Sequence, residues 1–136
     1  MSNIPTRLRP LPELFAIVKL PSDAVIPTWA TKCEFSSITR TSDELSIVAP
    51  VFNVPEQYAK NENQKWRAFR FVGTLDFSLV GVIAKVSECL AASQISVFVI
   101  STYDTDYVLV PTEQFELAKK ALVTVGFHWD ANEDCG

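Results

Sequence analysis

Proline and glycine divide this chain. Seven of its eight prolines lie before position 56, and all four glycines lie after position 72. Proline lacks a backbone N–H and clashes with the preceding helical turn, so the segment around Pro21 and Pro27 is too broken for a long helix. The two halves must therefore be built differently. At 136 residues the chain is one compact unit or two very small ones, long enough to bury a core.

In the first half, residues 1–14 carry Pro5, Pro10 and Pro12 and read as an extended lead-in. Phe15–Leu20 (FAIVKL) is a short apolar run that fits a strand buried on both faces, stopped by Pro21. Residues 21–34 read as an irregular turn with Trp29 packing inward. Residues 35–41 and 44–49 form a hairpin around Thr41-Ser42-Asp43, and 55–60 make a short helix with proline in its first turn. A polar loop, 61–64, follows.

The second half is more regular. Trp66–Val72 reads as a strand, with Phe69 and Phe71 on one face. Leu79–Ala92 is the clearest helix, its apolar stripe formed by Leu79, Val82, Ile83, Val86 and Leu90. Residues 95–100 and 107–110 are strands flanking a polar knot, Ser101-Thr102-Tyr103-Asp104-Thr105-Asp106. A second helix starts at Thr112, a candidate N-cap, and ends before Gly126. Phe127-His128-Trp129 is a last short strand, and 132–136 is a tail. The order strand, helix, strand, strand, helix, strand predicts a four-stranded antiparallel sheet with both helices on one face.

Fragments recur between the halves at an offset of 61 residues. Thr41-Ser42-Asp43 corresponds to Thr102-Tyr103-Asp104, and Ile47-Val48-Ala49-Pro50 to Val108-Leu109-Val110-Pro111. Their common order on a hairpin-then-helix scaffold points to a degenerate duplication, with Trp66–Val72 closing one unit and opening the next.

Several function classes are disfavoured. The net charge of −4, with no basic run longer than Lys119-Lys120, argues against a nucleic-acid-binding surface. No apolar run approaches the roughly 18–20 residues of a membrane span, and MSNIPTRLRPLPELF lacks the apolar core of a signal peptide, so a cytoplasmic location is expected. Cys33, Cys89 and Cys135 are odd in number and unpatterned, which suits neither a disulfide framework nor a zinc site. Cys89 reads as a small buried hydrophobe, Cys135 as a free thiol, and His128 as a partly buried structural residue. No phosphate loop, metal cluster or catalytic dyad is recognisable, so neither enzymatic activity nor a cofactor is expected.

The run LVGVIAKVSECLAASQISVFVISTYDTDYVLVP, ending in the helix EQFELAKKAL, resembles the ACT domain. More narrowly it is similar to small paired-ACT proteins related to the regulatory domains of aspartate kinase, and to the cytosolic arginine sensor of animal cells. The resemblance covers 69–126 closely and 15–49 more loosely. It implies an α+β protein of two tandem ACT-like ferredoxin-like (βαββαβ) units, with antiparallel sheets and helices on one face. Residues 15–65 would be a degenerate unit and 66–136 an ACT domain. It further implies a non-catalytic, allosteric regulatory protein, a homodimer that binds a free amino acid at an ACT–ACT interface and acts on a regulated protein partner. Carried over by position, the ligand residues are Leu79, Val80, Gly81 and Val82 at the helix start, and Thr102, Tyr103 and Asp106 on the hairpin. The missing first helix leaves open whether a chain has one site or two.

These residue types suit an amino acid. A helix N-terminus offers unpaired N–H groups to a carboxylate, a glycine lets the ligand approach the backbone, and Asp106 offers a fixed negative charge to an ammonium. Plainer readings stand beside this one. Asp104 and Asp106 could cap backbone N–H groups in a turn, and Gly81 could serve helix packing. The alternative function is a ligand-free ACT-fold module for protein–protein interaction.

Overall fold

The structure is a computed structural model that describes residues 7–59, 65–72 and 79–130. Its elements are β1 (Arg7–Pro10), β2 (Phe15–Leu20), a 3-10 turn (Thr28–Ala30), β3 (Ser37–Arg40), β4 (Leu45–Pro50), a 3-10 turn (Val51–Asn53), α1 (Glu56–Ala59) and β5 (Trp66–Val72). Then come α2 (Leu79–Ala92), β6 (Phe98–Ser101), β7 (Asp106–Pro111), a 3-10 turn (Thr112–Gln114), α3 (Phe115–Thr124) and β8 (His128–Trp129). They form two units, Glu13–Trp66 and Met1–Pro12 with Arg67–Gly136. Both follow the expected ferredoxin-like plan, the first in degenerate form. The loop 61–64, the tail 132–136 and Cys135 lie outside the described residues.

In Glu13–Trp66 the strand order is β3–β4–β2, all antiparallel, and Trp66 pairs with Phe15. Alternate residues of β2 (Ala16, Val18, Leu20) and β4 (Leu45, Ile47, Ala49) share one buried face, as a period of two requires. Where a helix would cover that face, the proline-broken turn supplies Ala30 and Trp29. The Trp29 ring stacks at 5.8 Å from Tyr58 of α1. Arg40 fastens this segment to β3 by donating to the carbonyls of Ser22 and, at 2.9 Å, Ala24.

In the other unit the order is β8–β1–β5–β7–β6. The helices α2 and α3 cover one face, where Val86, Leu90, Phe115, Ala118 and Leu122 meet Phe69, Phe71, Val108, Val110 and Leu8. The sheet thus has five strands instead of the expected four. The lead-in contributes β1, which inserts between β5 and β8, antiparallel to the former and parallel to the latter. The physical reason is Leu8: it alternates into the helix-covered face, opposite Phe71, and is fully buried. Arg9, on the next position, donates through Nε (3.0 Å) and Nη2 (2.6 Å) to Asp130, and the Asp130 N–H donates to the Leu8 carbonyl at 2.7 Å.

Three local expectations need correction. Residue 95 does not begin a strand: Gln94 adopts φ +60°, and the Ile95 N–H bonds back to the Leu90 carbonyl, so 93–95 terminate α2 and β6 starts at Phe98. Thr112 is not a cap. It begins a 3-10 turn, and its buried hydroxyl has no hydrogen-bond partner. His128 is exposed, because strand alternation turns its neighbours Phe127 and Trp129 inward instead.

The two hairpins are built alike. In each, a threonine N–H donates at 2.8 Å to the carbonyl three residues on (Thr41 to Glu44, Thr102 to Thr105), and that later N–H donates at 3.2 Å to the threonine Oγ1. Their second strands, β4 and β7, share one burial pattern residue by residue, and each runs through a proline into a 3-10 turn.

Candidate functional site

The hairpin β6–β7 brings the polar residues of the site into a defined order. Ser101 and Asp106 are its last strand pair, and Thr102–Thr105 close it. Thr102 is held by both halves of its hydroxyl, donating to the Thr105 carbonyl at 3.0 Å and accepting from the Thr105 N–H at 3.2 Å. That is a loop-closing role. Tyr103 is fully exposed, its ring projecting into solvent.

Asp106 is different. It has the same parity as Val108 and Val110, so its side chain faces the helix layer, and only 6% of the residue remains accessible. Among the described residues it is the charged residue that is buried, and none of them donates a hydrogen bond to its carboxylate or pairs with it. In a ferredoxin-like sheet β7 runs antiparallel to β5. Asp106 therefore stands at the end of the sheet where β5 finishes at Val72 and from which the chain passes into α2.

At that end α2 opens with Leu79, Val80 and Gly81. Gly81 is exposed, and a Cβ built on it would meet nothing within 4 Å. Packing against the described residues gives no reason for a glycine there. Val82, by contrast, is half-buried against the core, and its side chain serves packing. The structure thus brings Asp106 and the first turn of α2 to one end of the unit, keeps Thr102 in the loop closure, and directs Tyr103 and Val82 elsewhere.

One polar group escaped the sequence reading. The Thr105 hydroxyl is buried without a hydrogen-bond partner, immediately before Asp106. The density of hydroxyls and carboxylates in TYDTD was the signal that contained it, but nothing in the pattern separates Thr105 from Thr102. The described residues hold no group of three or more His, Cys, Asp or Glu placed to bind an ion. No helix among them is long and apolar enough to cross a membrane.

Comparison with known proteins places this geometry. Residues 61–124 match the model of the ACT domain, and residues 13–57 match a separate model, that of an N-terminal domain. No curated protein matches the chain. Among solved structures, a protein from Agobacterium tumefaciens is 31% identical, with 94% of each chain covered and a TM-score of 0.83. A protein of unknown function from Vibrio cholerae, described as a possible transport protein, is 17% identical over 88% of each chain, with a TM-score of 0.68. Aspartate kinase from Clostridium acetobutylicum, described as an allosteric enzyme important for industrial amino acid production, is 15% identical with a TM-score of 0.55. That match covers 87% of this chain and 33% of the kinase. The last two likenesses are of fold alone.

Proposed function

This chain belongs to the ACT-domain family, and from that premise we propose that it is a non-catalytic regulator that binds a free amino acid at an interface between ACT domains. ACT domains are regulatory, ligand-binding modules, and the kinase that shares the fold is described as allosteric. The observation that carries the reading is Asp106, a residue 6% accessible whose carboxylate no described residue pairs, at the sheet end that leads into α2.

The chemistry follows from the two charges of an amino acid. The first turn of α2 presents N–H groups without intrahelical partners and a positive partial charge, which suit a carboxylate. Gly81 leaves the backbone there open to approach. Asp106 accepts the ammonium, and a charge-assisted hydrogen bond of this kind contributes about 1.5–3 kcal/mol. Thr105 offers a further hydroxyl. Two copies would assemble into a homodimer, and the ligand would favour one arrangement or one partner-binding surface by its difference in affinity for the two states.

A thermal-shift screen of the twenty amino acids, followed by calorimetric titration, tests the reading. A ligand at a hundred times its dissociation constant stabilises by about 2.7 kcal/mol. The expected result is a hit that Asp106→Ala abolishes and Gly81→Ala weakens. A second reading, a docking module without ligand, draws on the exposed side chains of Phe52 and Tyr103. Silence across the panel with wild-type protein that is folded would favour it.

A further inference from the structure

Strand alternation gathers the arginines of β1 and β5 on the face of the sheet turned away from the helices. Leu8 points to the helix layer, so its neighbours Arg7 and Arg9 lie on the other face. The register adds two more basic residues: Arg70 of β5 is directly opposite Arg9, and His128 of β8 is beside Arg7. Neighbouring strands lie about 4.8 Å apart and alternate residues about 6.8 Å, so the four Cα positions fall within about 12 Å.

One carboxylate meets this group. Arg9 donates through Nε and Nη2 to the same oxygen of Asp130. Among the described residues Arg7 and Arg70 have no carboxylate partner, and the positions of matching parity on β5, β6 and β7 carry no acidic side chain. Three guanidiniums against one carboxylate leave an excess of positive charge here, in a chain whose net charge is −4. Like charges directly opposite each other destabilise an antiparallel pair, and Arg9 with Arg70 is such a pair. An anion set between the guanidiniums reverses the sign of that interaction. The groups can be reached: Arg7 and His128 are exposed, the Arg9 side chain is 33% accessible and Arg70 is half-buried. Arg70 donates one N–H to the Phe71 carbonyl at 3.3 Å, and a guanidinium has four more.

We propose that this face of β5, β1 and β8 binds a small multivalent oxyanion, a polyphosphate or a polycarboxylate, between Arg70, Arg7 and His128. Guanidinium forks match the oxygens of both groups two at a time. The patch is three strands wide and two or three residues long, which fits a compact anion, and the negative charge of the whole chain disfavours nucleic acid. Asp106 faces the opposite side of the sheet, so the proposal does not rest on the amino-acid reading.

The test titrates sodium pyrophosphate and sodium citrate calorimetrically into the whole chain, with ionic strength held constant by chloride. One equivalent per chain of at least one of the two is expected, with a dissociation constant below about 1 mM. Arg7→Gln and Arg70→Gln should each weaken binding about threefold to tenfold, the loss of one charge-assisted hydrogen bond discounted for exposure. Lys120→Gln removes an equal charge from the exposed side of α3 and should leave affinity unchanged. Should Arg70→Gln not yield folded protein, Arg7→Gln at its exposed position carries the test. No binding of either anion by wild type, or equal weakening by Arg7→Gln and Lys120→Gln, would overturn the proposal. Binding of pyrophosphate alone assigns the site to phosphates, and of citrate alone to carboxylates. Asp130→Asn gives an independent readout, because it removes the competing carboxylate and frees the Arg9 fork. Its affinity for the bound anion should rise, and an unchanged or lower affinity would count against the site.

Discussion

Gln94 and Gly126 hold the same place in two helices. Each lies at the left-handed position after a helix end, with φ +60° and +108°, and each is followed by a residue whose N–H reaches back to a leucine carbonyl, Ile95 to Leu90 and Phe127 to Leu122. All four of those apolar side chains sit in one core, the hydrophobic contact that accompanies this kind of helix stop. Glycine adopts such a backbone freely, whereas a side chain there costs about 1–2 kcal/mol. Glycine also gives up more entropy on folding, about 0.5–1 kcal/mol. Gln94→Gly should therefore stabilise the protein by about 0.5–1 kcal/mol, and Gly126→Ala should destabilise it by at least about 0.5–1 kcal/mol. Denaturant midpoints at constant slope would read both. Gly126 is legible as a stop because it is a glycine; Gln94 is not, so the strand expected from residue 95 starts three residues earlier than β6 does.

The cysteines give a second prediction at this scale. Burial raises the thiol pKa of both Cys33 and Cys89 above the usual value, with a smaller opposing effect from the Lys32 backbone in one case and from Lys85 in the other. A raised pKa means less thiolate at neutral pH, and the thiolate is the reactive form. Alkylation of these two residues at pH 7.5 should be slower than that of an unhindered thiol and should keep accelerating as pH rises past the ordinary cysteine range. Peptide mapping after timed iodoacetamide exposure would show it.

Among elements, those with a strong period were legible. β5 and α2 match their expected bounds because WRAFRFV alternates in twos and LVGVIAKVSECLAA repeats an apolar face at helical spacing. β1 was not legible. Its four residues include two arginines and a proline, and only Leu8 is apolar, so nothing local distinguishes a strand from an extended lead-in. Long-range pairing decides it. Replacing Leu8 with alanine should cost about 2–5 kcal/mol, as for other fully buried leucines. Asp130→Asn should cost about 1–3 kcal/mol, since it leaves Arg9 without its carboxylate and directly opposite Arg70 in the sheet. Chemical denaturation of the two single variants and the double variant would separate the contributions.

At the scale of the molecule, the polypeptide leaves one unit at Pro12, builds the other as far as Trp66, and returns at Arg67. The candidate site is legible as a region because its polar residues cluster in sequence, and the resemblance already points to Asp106 and Gly81; that Asp106 is buried while Asp104 is exposed is given by no local pattern. The division of the chain has a direct test. A fragment of 66–136 lacks the strand between β5 and β8 and should fail to melt cooperatively by circular dichroism. Joining 1–12 to 66–136 through a flexible linker should restore the transition.

The inserted strand also sets a timetable. Arg9 and Asp130 lie 121 positions apart, and β1 has β5 and β8 as its neighbours. During synthesis at roughly 5–20 residues per second, Leu8 leaves the ribosome on the order of ten seconds before the last of these partners is made. Contacts of such long range also close slowly, in the millisecond-to-second regime. Through that interval the place of Leu8 between β5 and β8 is incomplete, and the sheet of this unit closes only after the last strand has been made.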